Sequence, residues 1–68
     1  MVRIYGKDAC PYTRAAREDY RRRGIAFEYF DVKKDRAALE RMLDLSGGQR
    51  AVPVIDEDGT VTVGFGGT

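Results

Sequence analysis

The chain has no histidine, no tryptophan and a single cysteine, Cys10, among its 68 residues. Without histidine, the usual general base, the usual activator of a nucleophile and the commonest metal ligand are all missing. One thiolate cannot close a zinc site within a monomer, and it cannot build a disulfide scaffold, so a reducing, cytoplasmic setting and no metal are expected. No apolar run approaches the roughly 20 residues needed to cross a bilayer, and "MVRIYG" at the start reads as a strand, not as a basic-then-apolar targeting segment. An excess of either charge is lacking too. Twelve Lys and Arg face eleven Asp and Glu, which leaves no global field to recruit nucleic acid or a membrane surface.

What is present suffices for one small domain, residues 1–68. A chain of about this size buries only about 60% of the surface it exposes when unfolded, so its core has to be economical. "VRIY" at 2–5 predicts a strand that ends at Gly6. A helix is predicted over 11–23, with Pro11 in the first turn, Gly24 just beyond the end, and Tyr12, Ala15, Ala16 and Tyr20 on one side. "IAFEYFDV" at 25–32 is a second strand; reached through a helix, it implies a right-handed parallel βαβ unit. Asp35 can cap a second helix over about 36–45, whose Leu39, Met42 and Leu43 share a face and which "SGG" ends. "VPVI" and "TVTVGF" then flank "DEDG", where Asp58 and Gly59 signal a hairpin turn. The predicted order is β-α-β-α-β-β, an α/β fold with a mixed sheet.

This order places Cys10 where the first strand gives way to the first helix. Free N–H groups and the positive end of the helix dipole point at that position, and Lys7 adds a cation. Such surroundings bring a thiol pKa from about 8.5 into a range of roughly 3.5 to 7.5, and the thiolate is the nucleophile. The competing reading, an inert buried cysteine, fits poorly with these polar neighbours. Thr13 stands where a dithiol motif would carry its second cysteine. Its hydroxyl can donate to the Cys10 thiolate, or it can be an ordinary first-turn residue. Pro53 interrupts a strand-like stretch and is tolerated only at the strand's beginning. The arginines at 14, 17 and 21–23 alternate with Glu18 and Asp19 and lack an aromatic platform, so they read as a solvated helix face and not as a nucleic-acid site. "DEDG" is too short for a calcium loop.

Three segments, "KDACPYT", "SGGQRAVPV" and "GFGG", occur in the order and spacing that resemble the glutaredoxin family, and the resemblance covers nearly the whole chain. It implies a minimal thioredoxin-like fold and a monothiol, glutathione-dependent thiol–disulfide oxidoreductase, in which Cys10 attacks within a site shared by Pro11, Tyr12 and Thr13. By the same resemblance Lys7 and Arg50 would face the glycine carboxylate of glutathione, helped by Gln49, with Tyr12 also part of the binding surface. The Val52–Pro53 bond would be cis, leaving the Val52 N–H and C=O for the backbone of a thiol substrate. Gly66 and Gly67 would let the γ-glutamyl end approach closely, and Thr68 would supply the next N–H. Glutathione as co-substrate, and glutathionylated or disulfide-bearing proteins as substrates, follow from it. Some glutaredoxin-like groups carry selenocysteine at the position of Cys10, and "VTVGFGG" is also similar to the tail of the redoxins that serve ribonucleotide reductase.

The chain departs from the family by stopping before a last helix that would share one sheet face with the first. Either the natural protein is longer than this chain, or the thinly covered face is closed by self-association or by large side chains such as Phe27, Tyr29 and Phe30; a monomer is the expectation, with a dimer through that face as the alternative. Three other functions are compatible with one cysteine. A glutathione-assisted iron–sulfur carrier usually has Gly-Phe-Ser after the cysteine and a Trp-Pro segment, which this chain lacks. Arsenate-reductase-like proteins share a Cys-x-x-x-Arg helix but need a larger helical insertion. A redox sensor would use Cys10 without turnover.

Overall fold

The computed structural model describes residues 1–66. Its elements follow the predicted order: β1 (Val2–Gly6), α1 (Pro11–Arg22), β2 (Phe27–Asp31), α2 (Arg36–Ser46), β3 (Val54–Glu57) and β4 (Thr60–Val63). The strands form one sheet in the order β2-β1-β3-β4. β1 runs parallel to β2 and antiparallel to β3, and β4 closes an antiparallel hairpin with β3. The parallel pair needs a crossover, and α1 supplies it.

Local chemistry fixes the element ends. Pro11 needs no N–H partner at the first helical position. Gly24, with φ of 73°, donates its N–H to Arg21 O at 3.1 Å as the chain leaves α1. Asp35 accepts the Ala38 N–H at 3.2 Å and so caps α2, and Gly47, with φ of 70°, ends it. At the hairpin both central residues have positive φ, 49° at Asp58 and 97° at Gly59. That is the two-residue turn whose twist matches its strands. β2 begins later than predicted because Ile25 is still held by α1, its N–H donating to Tyr20 O at 3.0 Å.

Strand alternation divides the core into two layers. On one face Val2, Ile4 and Ile55 pack under Ala16 and Tyr20 of α1, with Ile25, Phe27, Tyr29 and Phe65 around them. On the other, Tyr5 and Val54 pack with Val32, Ala38 and Met42 under α2, flanked by Phe30, Leu39 and Leu43. Two expectations are corrected here. The buried side of α1 is Thr13, Ala16 and Tyr20, while Tyr12 and Ala15 are exposed. The compact Thr13 fits against the side-chain-free Gly6, where a tyrosine ring would not. Phe30 does not help to close the α1 face. It lies one residue out of phase with Phe27 and Tyr29 and stacks on Tyr5 beneath α2, the ring centroids 5.2 Å apart.

The α1 face is not a bare apolar surface. Its outer part is β4, which presents Thr60 and Thr62 to solvent while Val61 and Val63 pack toward α2. Among the described residues the only exposed large hydrophobic side chains are Met1 and Tyr12.

Candidate active site around Cys10

Cys10 is the N-cap of α1, with extended backbone (φ −80°, ψ 121°). Its N–H donates to Lys7 O and its C=O accepts the Arg14 N–H, both at 3.1 Å, so the thiol is fixed at the mouth of the helix. The side chain is half-buried and unpaired with any other cysteine. Burial pushes the thiol pKa up. The Thr13 N–H, the Thr13 hydroxyl, the Tyr12 N–H and the Lys7 charge together outweigh that effect and leave it below the ordinary thiol value.

Thr13 joins the two roles left open by the sequence. It is fully buried and packs so closely on β1 that a Cβ built on Gly6 would lie 2.5 Å from both its Cγ2 and its Oγ1. Its hydroxyl also accepts the Lys7 N–H at 3.4 Å and favours the thiolate of Cys10. Threonine at this position is therefore both a spacer between α1 and β1 and a polar neighbour of the Cys10 thiol.

Sequence reasoning missed Asp8. Its carboxylate accepts from the Tyr29 hydroxyl at 2.8 Å and from Lys34 Nζ at 3.1 Å, and Arg17 Nη1 lies 3.8 Å away. Hydrogen bonds from Tyr29 and Lys34 hold the Asp8 carboxyl below its ordinary value, and burial together with Asp8 pushes the Tyr29 phenol up. The Arg17 guanidinium also stacks over the Tyr29 ring at 3.9 Å. The loop carrying Lys7 and Cys10 is thus tied to β2, to the segment after it and to α1. An acid between a lysine and the cysteine was the only sign of this in the sequence, because its partners lie 21 and 26 residues away.

β1 adjoins β3, with Tyr5 opposite Val54, so the segment entering β3 reaches the same end of the sheet as Cys10. The Val52–Pro53 bond there is cis. Pro53 is fully buried, and its C=O accepts the Gly64 N–H at 2.7 Å. Neither the N–H nor the C=O of Val52 has a hydrogen-bond partner among the described residues. Gln49 and Arg50 are exposed on the approach to Val52, and the Gln49 C=O accepts the Ser46 hydroxyl at 2.7 Å. Lys7 is exposed on the loop before Cys10, and neither it nor Arg50 forms an ion pair among the described residues. Pro11 and Tyr12 are exposed in the first turn of α1. Gly66, with φ of 62°, follows β4 at the same end, whereas Gly67 and Thr68 lie outside the described residues. One end of the sheet therefore holds a thiol of lowered pKa, two free cations and an unpaired backbone segment.

Comparison with known proteins gives consistent matches. Residues 2–61 match the glutaredoxin family profile. The glutaredoxin-like 8.6 kDa protein of the rubredoxin operon of Clostridium pasteurianum is 37% identical over 65 residues, which span 96% of this chain and 85% of that protein. The crystal structure of the thioredoxin-like protein BC3987 aligns with a TM-score of 0.87 at 33% identity, covering 97% of this chain and 89% of that one. NrdH-redoxin from Escherichia coli, a glutaredoxin-like protein with a thioredoxin-like activity profile, aligns with a TM-score of 0.82 at 26% identity over 94% of this chain and 82% of its own.

Proposed function

This chain belongs to the glutaredoxin family, and from that premise we propose that it is a monothiol, glutathione-dependent thiol–disulfide oxidoreductase acting through Cys10. The observation that carries the reading is a lone thiol of lowered pKa at the N-cap of α1, beside the unpaired backbone of Val52. The Cys10 thiolate attacks the glutathione sulfur of a glutathionylated protein. A Cys10–glutathione disulfide forms, the original S–S bond breaks, and the protein thiolate leaves and takes up a proton. With no second cysteine in the chain, resolution comes from outside: a glutathione thiolate attacks the bound glutathione sulfur, releases oxidised glutathione and restores the Cys10 thiolate.

In this reading Lys7 and Arg50 hold the glycine carboxylate, with Gln49 and the Tyr12 ring beside them. The Val52 N–H and C=O pair with the backbone of the bound thiol, and Pro53 presents them. Gly66 and Gly67 admit the γ-glutamyl end, and Thr68 supplies an N–H to it. The thioredoxin-like profile of NrdH-redoxin points to a second class of electron donor, a dithiol protein. The absence of a resolving cysteine in this chain favours glutathione. Intact mass after exposure to oxidised glutathione tests the reading. One glutathione should add to the folded wild type, none to Cys10→Ser, and free glutathione should remove it. A folded protein that stays unmodified while the denatured chain reacts would eliminate Cys10 as the nucleophile.

A further inference from the structure

β1 lies between β2 and β3, so Cys10, beyond its carboxyl end, has a different neighbour on each side. Val52 and Pro53 stand on the β3 side. On the β2 side a cleft opens between the loop of residues 7–10 and the segment that carries Asp31, Lys33 and Lys34. The function proposed above leaves this second side unassigned.

Its charges are not balanced toward solvent. The Asp8 carboxylate is taken up by Tyr29, Lys34 and Arg17. The Asp31 carboxylate, with its side chain only 14% exposed, accepts the Lys33 N–H at 2.9 Å and lies 3.9 Å from Lys34 Nζ. Each carboxylate in the cleft thus has a partner within the fold. Lys7 and Lys33 are exposed and have no carboxylate within ion-pair distance among the described residues. Lys7 is committed to glutathione in the function proposed above, which leaves the Lys33 ammonium free in the cleft that Cys10 lines.

We propose that this cleft docks the protein half of the target disulfide and selects a polypeptide segment carrying Asp or Glu beside its cysteine. The inference rests on Cys10 as the nucleophile. While Cys10 takes the glutathione, which Lys7 and Arg50 hold by its carboxylate, and the protein thiolate departs, a carboxylate at Lys33 holds the departing segment alongside the thiol. An exposed ion pair shifts an equilibrium by about 1.4- to 5-fold, and salt screens it beyond about 10 Å at 0.1 M. The pair at Lys33 therefore gives a preference of up to about 5-fold at low ionic strength.

The test uses two glutathionylated peptides that differ only in having Glu or Gln on either side of the cysteine. Release of peptide thiol is followed with the full chain and free glutathione, after subtraction of the uncatalysed rate. Wild type should favour the Glu peptide in kcat/KM by up to about 5-fold, and the ratio should fall toward one as salt is raised. Lys33→Glu should abolish or invert the ratio, and Lys33→Ala should give an intermediate value. Equal rates on the two peptides, or a ratio that survives Lys33→Glu, would overturn the proposal. Failure to release thiol from either peptide removes the nucleophile reading, and this inference with it.

Discussion

The contact between Gly6 and Thr13 is the tightest junction between α1 and the sheet, and Gly6→Ala tests it directly. The added Cβ would meet Thr13 Cγ2 and Oγ1 at 2.5 Å and its Cβ at 3.0 Å, about 1 Å inside an ordinary carbon contact of roughly 3.5 Å. Thr13 cannot yield by rotation, because it is β-branched, helical and fully buried. The helix has to shift away from β1 instead. Overpacking of this kind costs about 1–3 kcal/mol, and the lack of a free rotamer puts this case near 3. At roughly 0.05–0.15 kcal/mol per residue, a chain of this length has about 3 to 10 kcal/mol in total. The variant should therefore lose a third or more of its stability, read as a lower urea midpoint with an unchanged slope. Trimming the other partner completes a cycle. Thr13→Ala alone should cost about 1–2 kcal/mol, and Gly6→Ala with Thr13→Ala should cost at least about 1 kcal/mol less than the sum of the two. Additivity within about 0.5 kcal/mol, or a Gly6→Ala protein as stable as wild type, would refute the account.

Thr13→Val keeps the shape and deletes the hydroxyl, so the Cys10 thiol pKa should rise from its lowered value; a titration of thiolate ultraviolet absorbance reads it, and an unmoved curve removes Thr13 from the chemistry. Lys7→Ala and Arg50→Ala should raise KM for a glutathione-linked substrate more than they lower kcat, as loss of uniform binding requires; steady-state kinetics with both parameters unaltered would exclude both residues from the site. The Asp8 carboxyl is held below its ordinary value of 3.8, so its stabilising effect is complete above that value and is lost as pH falls through the lower, folded-state value. Stability measured against pH should accordingly show an acid limb that Asp8→Asn flattens, and an identical limb in the variant would show that the carboxylate contributes nothing.

How much was legible in the sequence depended on the range of the interaction. Gly24, Gly47 and the Asp58-Gly59 pair mark positive-φ conformations that only a few residue types adopt, and Asp35 carries the side chain that caps α2; each stands where the chain required it. Cys10 at the start of α1, with Lys7 before it, is equally local. The buried side of α1 was not decidable in the same way. Residues 12, 16 and 20 satisfy the helical period as well as 13, 16 and 20 do, and the choice is made by Gly6 on a different element. The place of Phe30 was readable from strand parity, since Phe27 and Tyr29 sit one residue out of step with it. Asp8 was out of reach, because its meaning lies in Tyr29 and Lys34, which only the parallel pairing of β1 with β2 brings to it.

The β3–β4 turn has a consequence for handling the protein. Met1 and Asp58 meet in an ion pair at the end of the sheet remote from Cys10, where Val2 lies opposite Glu57. At about 3.3 Å per residue, the five residues of β1 set this end roughly 16 Å from the end that carries the thiol. A probe placed at position 58 would therefore stand at the far edge of the molecule from the reactive sulfur and leave it open to its partners.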